Sequence, residues 1–261
     1  MKKEMNKTKQ EILIKTPKDI EKMKEGGEYL ADVKVELMDK VGIGVSAAEI
    51  EDLACDLIKK TGGEPSFKMV PGYKWATCVN INRGVVHGIP KREIVFKKGD
   101  VVSIDIGLYY KGFHTDTSFT IGLQVSDKVN NFLKVGEKAL KEAIGEVYPR
   151  RRVYDISSAI EKTIKKSNLS PIKALVGHGV GRSLHEEPQI PCFTSGKRSE
   201  SPEIPKGAVL AIEVMYSEGV GDVVTETDGW TISTRDGKIA ALFEETVLAA
   251  KGGPVVLTER L

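Results

Sequence analysis

The sequence predicts an α+β domain built from two related αβ halves packed as one body. Three observations lead there. Residues 16–62 carry two helical hydrophobic patterns, and from Thr77 onward the periodicity changes to that of strands. Residues 101–121 then read as a β-hairpin, followed by two further helices and a second set of strands. Finally, short matches recur in the same order. Lys98-Gly99-Asp100-Val101-Val102-Ser103-Ile104-Asp105 agrees with Lys206-Gly207-Ala208-Val209-Leu210-Ala211-Ile212-Glu213 at Lys, Gly, Val, Ile and the closing acid. The helix ending Ile58-Lys59-Lys60 is echoed by Ile164-Lys165-Lys166, and His87-Gly88-Ile89 by His178-Gly179-Val180. Three echoes in one order point to a duplicated unit, with a site between the halves.

The elements follow in order. Thr16-Pro17-Lys18-Asp19 reads as a helix start, with Thr as N-cap and Pro at the first helical position. Ile20, Met23, Leu30, Val33 and Leu37 continue at helical spacing to Gly42, despite Gly26–Gly27. Ser46-Ala47-Ala48-Glu49 is a capping box for a second helix, which stops at Gly62–Gly63. Pro65–Tyr73 reads as a loop. Strands are expected at 78–82 and 85–86, then at Val101–Tyr110 and Phe113–Ile121 with a turn at Lys111–Gly112. Helices are expected over about 126–148 and 154–167, and strands at 174–177, 208–215, 231–234 and 239–249. Residues 1–15 are expected to be a flexible N-terminal extension. Residues 16–261 are expected to form one domain, with halves of about 16–125 and 126–261.

Composition sets limits. The chain has 261 residues, 40% hydrophobic and 29% charged, with a net charge of +2, the profile of an ordinary globular enzyme. That balance implies no specific nucleic-acid partner, and basic runs such as Arg150–Arg152 read as solvated surface. Cys55, Cys78 and Cys192 are odd in number and far apart, which suits a reducing compartment and excludes a thiolate zinc site. No secretory core follows the N-terminal lysines, and no window approaches the ~18 apolar residues of a membrane span. A cytoplasmic protein without a membrane partner is the expectation.

Chemistry-bearing residues gather around Val176–Glu187, where His178 and His185 lie in a glycine-rich stretch followed by Glu186–Glu187. Gly177, Gly179 and Gly181 would let backbone approach whatever His178 holds. Asp105 interrupts the apolar run 101–108, where a charge is costly unless paired or bound to a cation. Across the hairpin, Asp116 can face it on the neighbouring strand. Glu213 repeats the position of Asp105, and Glu244–Glu245 interrupts another apolar strand; adjacent strand residues face opposite ways, so pattern alone does not choose between the two. Three or four carboxylates with one or two imidazoles suit two divalent ions about 3.5–4 Å apart. Oxygen-rich ligation without sulfur admits Mn, Fe or Co as well as Zn. The competing readings are acids pointing to solvent and a buried Glu paired with Lys or Arg. A dinucleotide loop is excluded, because Gly177–Gly181 lacks the G-x-G-x-x-G spacing.

Six motifs in register carry a resemblance: VVHGIP at 85–90, IDIG at 104–107, FHTDTSFT at 113–120, GHGVGRSLHEEP at 177–188, AIEVM at 211–215 and LFEETV at 242–247. From about residue 16 the chain resembles the type I methionine aminopeptidases of bacteria. The resemblance implies the pita-bread fold, a pseudo-two-fold pair of αβ halves around a central antiparallel sheet. It implies two divalent metal ions held by Asp105, Asp116, His178, Glu213 and Glu244, with Asp116 and Glu244 bridging and a bridging hydroxide as nucleophile. His87 and His185 are then substrate-contacting and catalytic residues, Glu213 a proton shuttle, and Glu186 and Glu187 fall outside the ligand set. By position against the family, Phe67, Tyr73, Cys78, Leu184 and Trp230 would form the slot for the methionine side chain, and a small second residue would be preferred. Expected partners are N-terminal Met peptides and nascent polypeptides, with transient ribosome contact, and the chain is expected to be a monomer.

Two positions depart from the family: Val214 where it usually has Pro, and Glu245 where it usually has His or another neutral polar residue. Alignment on Phe243 and Thr246 favours Glu244 as the ligand. The rivals are an X-Pro aminopeptidase or prolidase, whose chains usually carry a further N-terminal domain, and a type II enzyme, which has a helical insert absent between His185 and Glu213. A non-catalytic pita-bread binding protein is the third, and such relatives typically lose ligand residues.

Overall fold

The computed structural model describes residues 11–260. The expected extension therefore lies outside the described residues over 1–10. Residues 11–15 run along the body, and Lys15 at their end is buried.

Four helices occur among the described residues: α1 (Pro17–Lys40), α2 (Ala47–Thr61), α3 (Asp127–Ile144) and α4 (Val153–Lys166). The capping boxes read at Thr16 and Ser46 are both formed, each with its reciprocal pair of hydrogen bonds to Asp19 or Glu49. Gly26–Gly27 belongs inside α1 because a Cβ on Gly27 would lie 2.2 Å from the Leu257 carbonyl oxygen. The C-terminal segment crosses the helix there. None of the described helices is long and apolar enough to cross a membrane.

The strands are β1 (Glu64–Pro65), β2 (Thr77–Ile81), β3 (Gly84–Val86), β4 (Val101–Tyr110), β5 (Phe113–Gly122), β6 (Ser170–Pro171) and β7 (Val176–Gly179). They continue with β8 (Glu186–Pro191), β9 (Val209–Ser217), β10 (Val223–Thr225), β11 (Ile232–Thr234), β12 (Ala240–Ala250) and β13 (Gly253–Val256). The main sheet is antiparallel and runs β1-β4-β5-β12-β9-β7-β8, with β2 also on β4, β6 on β9 and β13 on β12. A small sheet, β10-β11-β3, stands beside it. Strands β1, β6, β8, β10 and β13 were not expected, and β8 is the longest of them. Its sequence, Glu-Glu-Pro-Gln-Ile-Pro, has no strand pattern, and it pairs only with β7 at the sheet edge, where proline is tolerated.

Strands β4 and β9, which carry the repeated Lys-Gly-x-Val frame, share a local geometry. β4 and β9 each begin just after a Lys-Gly turn whose glycine is left-handed, Gly99 at φ 91° and Gly207 at φ 88°. Period-two alternation gives the sheet two different faces. Ile104, Ile106 and Leu108 of β4 pack beneath α1 and α2, while Leu210, Ile212, Val214 and Tyr216 of β9 join the core with α3 and α4. The intervening residues, Asp105 and Gly107 on β4 and Ala211 and Glu213 on β9, fall on the opposite face. The helices thus cover one face and leave the other for chemistry.

Candidate metal centre and active site

Register builds the centre from two adjacent rows across the sheet. Asp105 pairs with Ser118, Ser118 with Glu244, and Glu244 with Glu213, so three carboxylates and a serine lie in one line across four strands. In the next row, Gly107 pairs with Asp116, and Thr246 with Ala211, which pairs with His178. Asp116 is tied to Thr246 twice: its N–H donates to Thr246 Oγ1 at 2.9 Å, and Thr246 Oγ1 donates to its carbonyl at 2.7 Å. Small side chains at 107, 118 and 211 leave the space above the rows open. Asp105 and Asp116 are therefore diagonal neighbours and not directly opposite, as the hairpin pattern suggested; Asp105 faces Ser118.

Asp116, His178 and Glu244 bring ligand atoms within 4.8 Å of one another. Glu213 Oε1 lies 3.4 Å from His178 Nε2. His178 Nδ1 is 2.8 Å from the carbonyl of Gly179, so that nitrogen carries the proton and donates, leaving Nε2 free to face the carboxylates. Burial, aided by His185, brings the pKa of His178 down to about 3, so the ring is neutral, as a ligand must be. Burial also pushes Asp105 up to about 7. Asp116, Glu213 and Glu244 are held well above the ordinary carboxylate range, by burial first and then by one another's charge and that of Asp105. Asp105 Oδ1 and Glu244 Oε1 are buried without a hydrogen-bond partner. Buried oxygens lacking donors, beside a neutral imidazole, fit divalent cations and little else.

The same cleft contains every residue that the resemblance assigned to the site: the five above, His87, His185, Phe67, Tyr73, Cys78, Leu184 and Trp230, joined by Val70 and Val86, around about 130 Å³ of open space. Phe67, Tyr73, Cys78 and Leu184 form one apolar cluster, extended by Val70, Trp75 and Trp230. Tyr73 meets Trp230 edge-on at 5.1 Å, and its hydroxyl donates to the carbonyl of Thr77 at 2.9 Å. Trp230 is carried on a turn closed by Asp228, whose Oδ1 accepts from the N–H groups of Trp230 (3.0 Å) and Thr231 (2.8 Å). His87 follows β3 in a left-handed conformation, φ 59°, which is rare for a residue with a side chain. The next residue is pinned there, Gly88 N–H donating to Asn80 Oδ1 at 2.9 Å. His87 thus arrives from a loop, whereas His178 sits within a strand; their sequence echo does not make them structural equivalents.

Other assignments change. Gly177 and Gly179 are small because backbone crowds them: added Cβ atoms would lie 2.6 Å from the Ala211 carbonyl and 2.2 Å from the Glu187 carbonyl. They serve strand packing, not approach to a ligand. Glu244 faces the cleft and Glu245 the helix side, where Lys34 of α1 donates to Glu245 Oε1 at 2.6 Å and to Thr117 Oγ1 at 3.1 Å. Thr258 also donates to Glu245. Glu245 is thus a buried partner of Lys34, a pairing that sequence alone did not reveal. Glu244→Gln is expected to cost metal affinity with little loss of fold stability, whereas Glu245→Gln strands Lys34 and costs about 3 kcal/mol while metal loading persists; metal analysis and urea unfolding of both variants separate the two. Sequence reasoning also missed Glu51, whose carboxylate accepts from the N–H groups of Ala76 (2.7 Å) and Thr77 (2.9 Å) and so fixes the start of β2 beside Cys78.

Four carboxylates, two buried and two half-buried, and a buried imidazole on the open face of an antiparallel sheet, beside an apolar slot, define a metal-dependent hydrolase. Residues 21–251 match metallopeptidase family M24. Methionine aminopeptidase 1 of Bacillus subtilis (strain 168) is 39% identical over 248 residues, 95% of this chain and 99% of that one. The methionine aminopeptidase of Clostridium perfringens is 36% identical over 95% of this chain and 98% of its own. The crystal structure of methionine aminopeptidase from Thermotoga maritima superposes with a TM-score of 0.93 at 41% identity, covering 96% of this chain and 100% of that one. Prolidase from Pyrococcus furiosus gives 0.76 at 22% identity over 96% of this chain and 66% of its own, a likeness of fold alone. The chain belongs to the M24 metallopeptidases and, within them, to the methionine aminopeptidase family.

Proposed function

We propose that this protein removes N-terminal methionine from peptides and nascent proteins by hydrolysing the first peptide bond, with a small second residue preferred. One observation carries the reading: a five-residue set of acids and imidazole lies at the floor of a cleft whose wall is the cluster Phe67, Tyr73, Cys78 and Leu184. Asp105, Asp116, His178, Glu213 and Glu244 would hold two divalent ions (Co, Mn, Fe or Zn); such ions, when bound, lower the pKa of water and polarise a carbonyl.

The chain's own residues supply the rest. The aromatic and sulfur-bearing wall takes the methionine thioether, a soft side chain that favours contact with aromatic rings. His185 stands edge-on to His178, ring centroids 4.6 Å apart, and is placed to donate to the substrate carbonyl oxygen as negative charge develops there. Burial lowers the pKa of His185, so at neutral pH the ring is uncharged and donates from one nitrogen. Glu213, whose pKa burial raises, is suited to accept a proton from the attacking water and deliver it to the leaving amine. His87 would hydrogen-bond the scissile amide nitrogen, and its ring at the cleft mouth leaves little room for a large second residue. His87→Ala is expected to keep full metal content and to lower turnover about 100-fold, read by metal analysis and steady-state kinetics.

The reaction is assigned to the cytoplasm, in keeping with three unpaired cysteines. The protein would act as a monomer and meet ribosomes only transiently. Incubating the metal-loaded chain with Met-Ala-Ser, Met-Trp-Ser and Ala-Pro tests the substrate class. Free Met from the first alone supports the reading, and proline release from Ala-Pro in its place would assign an X-Pro peptidase.

A further inference from the structure

We propose that Lys15 is a positioning residue, whose buried ammonium clamps Glu186 and thereby fixes the turn over 181–186 that presents Leu184 and His185 to the cleft. The inference deepens the aminopeptidase reading and rests on it.

The ion pair between Lys15 Nζ and Glu186 Oε2 is almost wholly enclosed, with side-chain exposures of 5% and 3%. Glu186 divides its oxygens. Oε2 takes Lys15, and Oε1 accepts the N–H of Ser183 at 3.2 Å, so one carboxylate ties the turn to itself and to the N-terminal segment. Lys15 is held in turn, its N–H donating to the Gly207 carbonyl at 3.0 Å and its Nζ to the Leu13 carbonyl at 3.2 Å. At the other end of the turn, Gly181 N–H donates to Ser183 O at 3.1 Å, and the Gly181 carbonyl accepts from His114 N–H at 2.7 Å.

Gly181 supplies an independent sign that the turn is shaped around this lysine. A Cβ there would lie 2.3 Å from Lys15 Cε and 2.8 Å from Glu186 Oε1. Only the glycine lets the lysine stem lie across the turn. Between the two clamped ends are Leu184, in the apolar wall, and His185, whose ring meets His178 edge-on. A buried pair that loses one member leaves an uncompensated charge, and the turn must then open to hydrate it. Displacing a substrate-contacting group by about 1 Å costs on the order of 100-fold in rate.

Lys15→Met, Glu186→Gln and the double variant test this. Kinetics on Met-Ala-Ser, metal content, and the imidazole proton resonances of the metal-free chain are compared with the parent; the chain has only four histidines to resolve. Each single variant is expected to lower kcat by about 10–100-fold at unchanged metal content, and to shift the His185 resonance while that of His87 stays. The double variant is expected to be no worse than the poorer single, because both changes break one clamp. Wild-type kcat with an unmoved His185 resonance in Lys15→Met, or losses that add in the double variant, would overturn the proposal. Should Lys15→Met fail to fold, the double variant, which leaves no unpaired buried charge, carries the same comparison. A parent chain that releases no Met overturns the aminopeptidase reading alone, since the His185 resonance still reports the clamp.

Discussion

Asp116→Ala is expected to abolish metal loading and methionine release together, the largest loss of any single substitution in this chain. Asp116 is the acid that shares a cluster with both His178 and Glu244, and it lies diagonal to Asp105 across the hairpin. Its backbone is locked by two hydrogen bonds to Thr246, so a truncated side chain cannot be replaced by a shift of the strand. The effect on stability has the opposite sign. Burial and the charges of Asp105 and Glu213 raise the pKa of Asp116, so in the metal-free chain this carboxylate opposes folding at neutral pH. Asp116→Asn, which keeps the shape and removes the charge, should make the metal-free chain more resistant to urea than the metal-free parent at pH 8, while remaining inactive. Such a trade between stability and activity is common at sites built for function.

Metal removal is the second large effect, and its pH dependence follows from the same groups. Asp105, Asp116, Glu213 and Glu244 all have folded-state pKa values raised above those of an unfolded chain, Asp105 to about 7 and the others well above the ordinary range. The folded metal-free protein therefore holds more protons than the unfolded one. Its stability is highest below about pH 4, as far as these groups are concerned, and falls as pH rises through 7. Metal ions take the place of those protons. Loaded protein should accordingly be more stable than chelated protein by a margin that widens from pH 5 to pH 8. At a free metal concentration near a thousand times the dissociation constant, that margin reaches about 4 kcal/mol. Thermal unfolding of chelated and loaded samples across that range checks the slope, and calorimetric titration should find protons released on binding near neutral pH. An equal margin at every pH would contradict the protonated state assigned to the metal-free centre.

Asp105, Glu213 and Glu244 were legible because each breaks an apolar strand, a pattern that costs free energy unless something compensates it, whereas Asp116 lies in a largely polar strand and was legible from the hairpin spacing. Asp105 and Glu213 were further marked by the repeated Lys-Gly-x-Val frame. Register was harder to read. A one-dimensional pattern places Asp105 and Asp116 on one face of a hairpin but does not decide between direct and diagonal pairing. Partners distant in sequence left no signal at all: Lys34 and Glu245 are 211 positions apart, and Lys15 and Glu186 are 171 apart. Glu186 therefore looked like part of the histidine cluster, although its charge is spent on the N-terminal segment. Gly177 and Gly179 misled in the same way, since the carbonyls that crowd them belong to β9 and β8. Strand β8 escaped detection because an edge strand with two prolines needs only one neighbour and no alternation.

Methionine release is expected to depend on metal ions held by the two rows, Asp105, Glu244 and Glu213 in one and Asp116 with His178 in the other. The most direct test is to titrate the chelated chain with manganese or cobalt and measure, on the same samples, bound metal and free Met released from Met-Ala-Ser. No release is expected before metal is added, and activity should rise in step with binding, both being lost in Asp116→Ala. Metal binding without methionine release, or release that persists after chelation, would contradict that dependence.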